Sequence, residues 1–186
     1  KEVIKEEPST SSDVIPESMN VPTESVSQSS GLTSGGCSGN TVDFVADYDV
    51  DGGASCAMIY NWFLSFGLEA SIYIPDRVEE GYGPNKEAMK ALGKNHDIIV
   101  CVDCGTLSFE PISIAKAQGC KVIVVDHHLG GKSLPPADAV INPNRIDEKN
   151  IYPYLCAAGV VFIFLVEMNS IVSEVERSKI NLLSYL

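Results

Sequence analysis

Short apolar runs recur along this chain from Val42 onward, and most are followed by a stretch whose apolar positions return at helical spacing. The segments "VDFVA" (42–46), "EASIYIP" (69–75), "DIIVCVD" (97–103), "KVIVVD" (121–126) and "DAVINP" (138–143) read as strands. After the first, Gly52 and Gly53 open "GASCAMIYNWFLSFG", whose Ala57, Ile59, Tyr60, Phe63 and Leu64 predict a helix. "PNKEAMKALGK" predicts a second helix, begun by Pro84 and ended near Gly93, and "FEPISIAKAQG" a third, stopped by Gly119. Two more are predicted over 155–169 and 172–184. Strands apolar on both faces, alternating with helices, indicate an α/β fold: a parallel sheet of about five strands with helices on both faces. In such folds, ligands bind beyond the carboxyl ends of the strands.

The pattern starts only at Thr41. Residues 1–40 are rich in Ser, Thr, Pro, Glu and Gly without aromatic residues or apolar periodicity, and read as a disordered tail. Residues 41–186 read as the folded domain. Its longest apolar stretch, Leu155–Val166, falls short of the roughly 18–20 residues that span a bilayer and reads as a buried helix. No signal sequence opens the chain, so a cytoplasmic location without a membrane is expected. Six cysteines include one CxxC, Cys101–Cys104, with no second pair to complete a zinc site; they read as reduced, mostly buried thiols.

The formal net charge is −12: residues 1–36 hold two Lys against six acids, and residues 37–186 hold eleven basic residues against nineteen acids. Taken alone, that balance speaks against nonspecific nucleic-acid binding. The positions of the acids change the picture. "DYDVDG" (47–52) follows the first strand and places Asp47, Asp49 and Asp51 on one face if the stretch is extended. Asp103 ends the third strand, and Asp126, His127 and His128 end the fourth. Like charges gathered this way call for protons or cations. Carboxylates favour Mg²⁺ or Mn²⁺, imidazole shifts the choice towards Mn²⁺, and two such ions about 3.5–4 Å apart suit phosphoryl displacement.

Plainer readings stand beside this one. "DYDVDG" resembles the start of a calcium loop but lacks its closing Glu. Acids at strand ends also serve as helix N-caps or turn formers. Cys104 beside Asp103 reads as a packing residue. In "IPDRVEEGYGPN" (74–85), Arg77 suits a phosphate and Tyr82, flanked by Gly81 and Gly83, suits a stacked base; the alternative is a turn with a packed tyrosine. "INPNR" (141–145) brings Asn142, Asn144 and Arg145 to the same rim, or is a polar turn.

Together these residues resemble the DHH phosphoesterase superfamily and, within it, the RecJ branch of single-strand-specific 5′→3′ exonucleases, most closely in alphaproteobacterial wording. "ADYDVDG" is similar to the first motif, "VDCGT" to the second and "VDHH" to the third, and "YIPDRVEEGYGPN", "LPPADAVINPNR" and "LCAAGVVF" to stretches particular to RecJ. Ala46 stands where the family usually has Gly. The resemblance implies a DHH domain using two Mn²⁺ or Mg²⁺ ions. Asp49 and Asp51 would each hold one ion, Asp103 would bridge them, and His127 would be a ligand. Asp126 would support the adjacent site, with Asp47 an alternate or supporting ligand. His128 would face the scissile phosphate. Arg77, Tyr82, Asn85, Asn144 and Arg145 would contact DNA. Single-stranded DNA is the implied substrate, in repair and recombination, and a single-strand-binding protein or helicase the implied partner.

The family's fourth motif would follow "INLLSYL". The chain therefore reads as a DHH domain truncated before that motif, with little activity expected of it in isolation. Two alternatives belong to the same resemblance. One is a phosphodiesterase acting on nanoRNA, cyclic dinucleotides or pyrophosphate, against which "GYGPN" and "INPNR" speak. The other is a noncatalytic RecJ-like scaffold, against which the intact acids speak.

Overall fold

The computed structural model describes residues 41–149 and 152–172. The tail expected over 1–40 lies outside the described residues, as does the last predicted helix beyond Val172. The elements alternate as predicted: β1 (Val42–Ala46), α1 (Val50–Ser65), β2 (Ala70–Tyr73), α2 (Lys86–Asn95), β3 (Ile98–Val102), α3 (Phe109–Ala117), β4 (Lys121–Val125), β5 (Ala139–Ile141) and α4 (Ala157–Ile171). All pairings are parallel, in the order β2-β1-β3-β4-β5.

Alternation along the strands builds two cores. Phe44 and Ala46 of β1 and Val100 and Val102 of β3 face α1 and α4, where Ile59, Trp62, Val161 and Leu165 close one apolar layer. Val45, Ile99, Cys101, Val122 and Val124 face the other way, onto Met89 of α2 and Ile112 and Ala115 of α3. Each fully buried Val, Leu, Ile, Phe or Met side chain among them contributes about 1.5–3 kcal/mol relative to exposure. Because the central strands are covered on both faces, they show no polar alternation in sequence.

Two helix boundaries that differ from the sequence reading have local reasons. The first helix starts at Val50, before the two glycines, because Asp49 caps it: its Oδ1 accepts from the Gly52 amide at 3.0 Å. The "DYDVDG" stretch is therefore not extended beyond Asp49, and the three carboxylates are displayed from a strand end, a cap and a helix turn. Gly52 serves close approach: a Cβ there would lie 2.4 Å from the Asp47 carbonyl oxygen. In α2, Gly93 does not end the helix. It lies inside it, where a Cβ would come within 3.2 Å of the Ala115 Cα, so it lets α2 pack closely on α3.

The strand order reverses at β1, whose neighbours β2 and β3 both follow it in sequence. The crevice beyond β1 and β3 is the position at which open α/β sheets bind ligands. The hydrogen-bond ladder runs one residue past the strands there. The Asp47 amide donates to Val102 O, the Asp103 amide to Val125 O and the Asp126 amide to Ile141 O. Three aspartates are thereby anchored at one edge of the sheet by their own backbones.

Candidate metal centre

Asp103 has a left-handed backbone, φ 59°, the one positive φ at a non-glycine among the described residues. That conformation costs an L-residue about 1–2 kcal/mol. Two contacts hold it: its amide on Val125 O, and its carbonyl, which accepts from the Tyr82 hydroxyl at 3.1 Å. Tyr82 is set for this contact between Gly81 and Gly83, both at positive φ.

Two donor groups share this residue. One oxygen each from Asp47, Asp49 and Asp103 lie within 4.8 Å of one another, and so do donor atoms of Asp103, His127 and His128. Asp47 and Asp103 are almost wholly buried, at 3% and 1% exposure, yet Oδ1 of each has no hydrogen-bond partner among the described residues. Burial, then the charges of Asp51 and Asp49, push the Asp103 carboxyl up to about 7. Burial also raises Asp47, with a further push from Asp49. Buried carboxylate oxygens without donors are costly unless neutralised. Here they converge with imidazole nitrogens, a donor set that fits a divalent cation of the Mn²⁺ or Mg²⁺ kind.

The histidines are oriented differently. His127 Nδ1 lies 3.0 Å from the Leu155 carbonyl, which can only accept, so Nδ1 carries the ring proton. Nε2 is then turned to the site, 3.3 Å from Asp103 Oδ1 and 3.7 Å from Asp51 Oδ2. This is the usual arrangement of a metal-binding histidine steered by a carbonyl behind it. His128 instead places Nδ1 2.7 Å from Asp126 Oδ1, with Nε2 3.2 Å from the Tyr82 hydroxyl. Burial pulls the His128 pKa down, but the hydrogen bond and charge of Asp126, with Asp103 and Asp47, outweigh it and hold the ring above its ordinary value.

Asp126 and Asp51 are held in ways the sequence did not reveal. Asp126 Oδ1 accepts from the His127 and His128 amides and faces His128 Nδ1, while Oδ2 accepts from the Thr106 amide at 3.0 Å. Burial alone would raise its pKa; the Thr106 and His128 hydrogen bonds outweigh that and lower it. Asp126 is thus an anionic hub. Asp51 Oδ2 and Oδ1 accept from the Ala157 and Ala158 amides, both at 2.8 Å, capping α4, whose own N-cap Cys156 makes no side-chain cap bond. Neither Asp51 nor Asp126 joins the two donor groups.

The residues expected to meet DNA divide similarly. Arg77 is exposed, with its guanidinium 5.3 Å from the Tyr48 ring centroid, and Tyr82 stands edge-on to His128. Asn85 caps α2 through the Ala88 amide and also donates to Glu80. Asn144 donates to the His127 carbonyl. Arg145 is paired with Asp147 and the Val140 carbonyl. Thr106 was not singled out beyond its place in "VDCGT", and Asn142 was read with Asn144 and Arg145 at the rim or in a polar turn; both are buried within this network. Their signals were polar character beside strands that are otherwise apolar and a place in stretches similar to the family's.

Residues 42–184 match the DHH family, N-terminal domain. The chain belongs to the DHH family. Among DHH relatives, the single-stranded-DNA-specific exonuclease RecJ of Escherichia coli (strain K12) is 36% identical over 134 residues, 71% of this chain and 23% of that protein. A crystal structure of exonuclease RecJ bound to manganese superposes with a TM-score of 0.62 at 31% identity, covering 71% of this chain and 34% of that one. RecJ from Thermus thermophilus in complex with Mn²⁺ gives 0.59 at 27% identity, over 71% of this chain and 18% of its own. The chain spans 15–23% of the length of the curated RecJ relatives it matches. The parallel five-stranded architecture is thus that of a RecJ-like DHH domain, and no helix among its described residues is long and apolar enough to cross a membrane.

Proposed function

We propose that this DHH domain belongs to a cytoplasmic 5′→3′ exonuclease that hydrolyses phosphodiester bonds of single-stranded DNA with the help of two Mn²⁺ or Mg²⁺ ions, in DNA repair and recombination. The observation that carries the reading is the pair of buried, unpartnered oxygens, Asp47 Oδ1 and Asp103 Oδ1, beside His127 Nε2 at the topological switch point. The RecJ relatives named for single-stranded DNA, and the RecJ structures containing manganese, support it.

Asp103 is shared between the two donor groups and would be the residue common to both ions. Asp47 and Asp49 complete one group and His127 the other, with Asp51 close to His127. Ions held there supply Lewis-acid polarisation of the phosphate and a more acidic water. The remaining work falls to the chain. Asp126 holds the His128 ring and favours its protonated form, so His128 would offer positive charge to a phosphate that gains negative charge in the transition state. Tyr82, neutral because burial and the surrounding carboxylates push its phenol far up, leans against that ring. Arg77, stacked near Tyr48, reaches for the next phosphate along the strand.

The test is a digest of 5′-phosphorylated single-stranded DNA, duplex DNA and dinucleotides with Mn²⁺, using this chain and a version joined to the remaining domains of a RecJ relative. Stepwise release of nucleotides from the 5′ end of the single strand alone is the expected result. Preference for dinucleotides would replace the reading by that of a small-substrate phosphodiesterase, and loss of all turnover with metal binding absent would leave a scaffold.

A further inference from the structure

Asp103 and the histidine pair follow β3 and β4; the strand ladder ties Asp103 to Val125 and ends at Asp126, short of the two histidines. A buried polar cluster spans the remaining gap. Thr106, 1% exposed, follows Asp103 through Gly105, whose φ is 105°. Its amide holds Asp126 Oδ2, and its Oγ1 accepts from Asn142 Nδ2 at 2.9 Å. The same Nδ2 donates to the His128 carbonyl at 2.8 Å. Asn142, 4% exposed, uses its remaining polar atom too: Oδ1 accepts from the Asn144 amide at 2.7 Å. The Asn144 side chain then donates to the His127 carbonyl. Each carbonyl of the histidine pair is therefore held by an asparagine from the loop after β5, and one of those asparagines also grips the loop that carries Asp103.

We propose that Asn142 and Thr106 form a positioning clamp that sets the spacing between the Asp103 carboxylate and the His127–His128 pair.

The proposal rests on the metal-dependent reading above, because spacing matters there most: metal donors must be placed within about 0.2 Å of their ideal positions. His127 Nε2 and His128 Nδ1 lie 3.3 and 3.9 Å from Asp103 Oδ1, so a small slip of one loop changes the donor set. The polarity of the clamp is determined. Asn142 must present its NH₂ group to Thr106 and His128, since the His128 carbonyl only accepts. An aspartate at this position would set carboxylate against carbonyl.

The experiment compares Thr106→Val, which keeps the shape and removes the acceptor, with Thr106→Ser, which keeps the acceptor, and adds Asn142→Asp and Asn142→Ala. Three quantities are read on the 186-residue chain: Mn²⁺ affinity by calorimetry, imidazole-nitrogen coupling to bound Mn²⁺ by pulsed electron paramagnetic resonance, and the His127 and His128 ring signals of the metal-free protein by NMR. Thr106→Val and Asn142→Asp are expected to weaken Mn²⁺ binding about 10–100-fold, the range typical of lost partners behind metal ligands. They should also reduce the nitrogen coupling and shift both ring signals. Thr106→Ser should stay within about threefold of the wild type on the same scale. Thr106→Val is the mildest disruption, and decides the matter if the Asn142 variants do not fold. Wild-type affinity, coupling and ring signals in folded Thr106→Val, with only the melting temperature lowered, would overturn the clamp. If the wild type bound no Mn²⁺ at all, the metal reading would fail by itself, and the metal-free ring signals would still show whether the clamp positions the histidines.

Discussion

The carboxylate of Asp51 caps the helix that begins at Ala157: Asp51 Oδ2 accepts from the Ala157 amide at 2.8 Å, across 106 residues of chain. Oδ1 takes the next amide, that of Ala158. The helix has no cap of its own, so an acid from α1 both anchors α4 and brings negative charge to the positive end of its dipole. The same acid stands 3.7 Å from His127 Nε2, so docking of α4 and organisation of the site are one event.

Asp51→Ala should therefore destabilise the fold by about 1–2 kcal/mol, as loss of a well-made N-cap does. Asp51→Asn, with one acceptor left and no charge, should fall between. Urea unfolding without metal measures both. A stability equal to wild type in Asp51→Ala would show that the cap bonds contribute nothing.

Asp103→Asn should separate stability from function. Asparagine tolerates the left-handed backbone and carries no charge to bury. At pH 8 the metal-free variant should be more stable than wild type, by about 1–4 kcal/mol on the scale of 1.36 kcal/mol per pKa unit. Its Mn²⁺ binding should be lost. Calorimetry and denaturant titration on the same preparation read both, and a variant that was destabilised yet bound Mn²⁺ normally would refute the assignment.

The raised Asp103 pKa has a defined sign in stability. Its folded value, about 7, lies above the 3.8 of an unperturbed carboxyl, so the native state holds the proton more tightly than the unfolded chain. That contribution is full below the unfolded value and is lost as pH rises from 3.8 to about 7. The Asp103→Asn variant should show a flatter stability profile across this window in the absence of metal. A cation must displace the proton, so Mn²⁺ binding at pH 6 should release about one proton per chain. Calorimetry in buffers of different ionisation enthalpy counts it, and binding without proton release would place the ion elsewhere.

His127→Ala and His128→Ala should fail differently. His127 turns Nε2 to the site and would lose metal affinity, about 10-fold or more. His128 is tied to Asp126 and would lose turnover, about 10²–10³-fold, as when one preorganised charge-stabilising donor is removed. Mn²⁺ titrations and single-strand digestion on both variants decide it; equal metal affinities would end the division of labour.

Gly52→Ala tests how closely α1 approaches β1. The added Cβ would meet the Asp47 carbonyl oxygen at 2.4 Å, backbone that has little room to yield. Overpacking of this kind costs about 1–3 kcal/mol. Thermal unfolding is the measurement, and an unchanged melting temperature would mean that the helix can shift freely.

The alternation of strands and helices, the parallel sheet and the rim on which Asp47, Asp103 and Asp126 gather were all legible in the chain. Each depends on local rules: apolar runs too uniform for a solvent-facing strand, helical periodicity, and polar residues where a buried strand must end. The DHH resemblance likewise rests on short contiguous motifs, and the match over residues 42–184 bears it out. Helix limits were less legible where a cap or a close approach decided them, as at Asp49 and Gly93, because those depend on what lies across the gap.

The division of labour among the acids was decided by tertiary structure. In sequence, Asp49, Asp51 and Asp126 look alike, each a carboxylate in a motif. In the fold, Asp51 is taken up by amides of α4 and Asp126 by four donors around it, while Asp47 and Asp103 keep a buried oxygen free. Asn142 and Thr106 lie in stretches similar to the family's, but they acquire their part only because three loops meet. Periodicity reports which side of an element is dry; it carries no information about which hydrogen-bond partner, scores of residues away, will reach a given oxygen first.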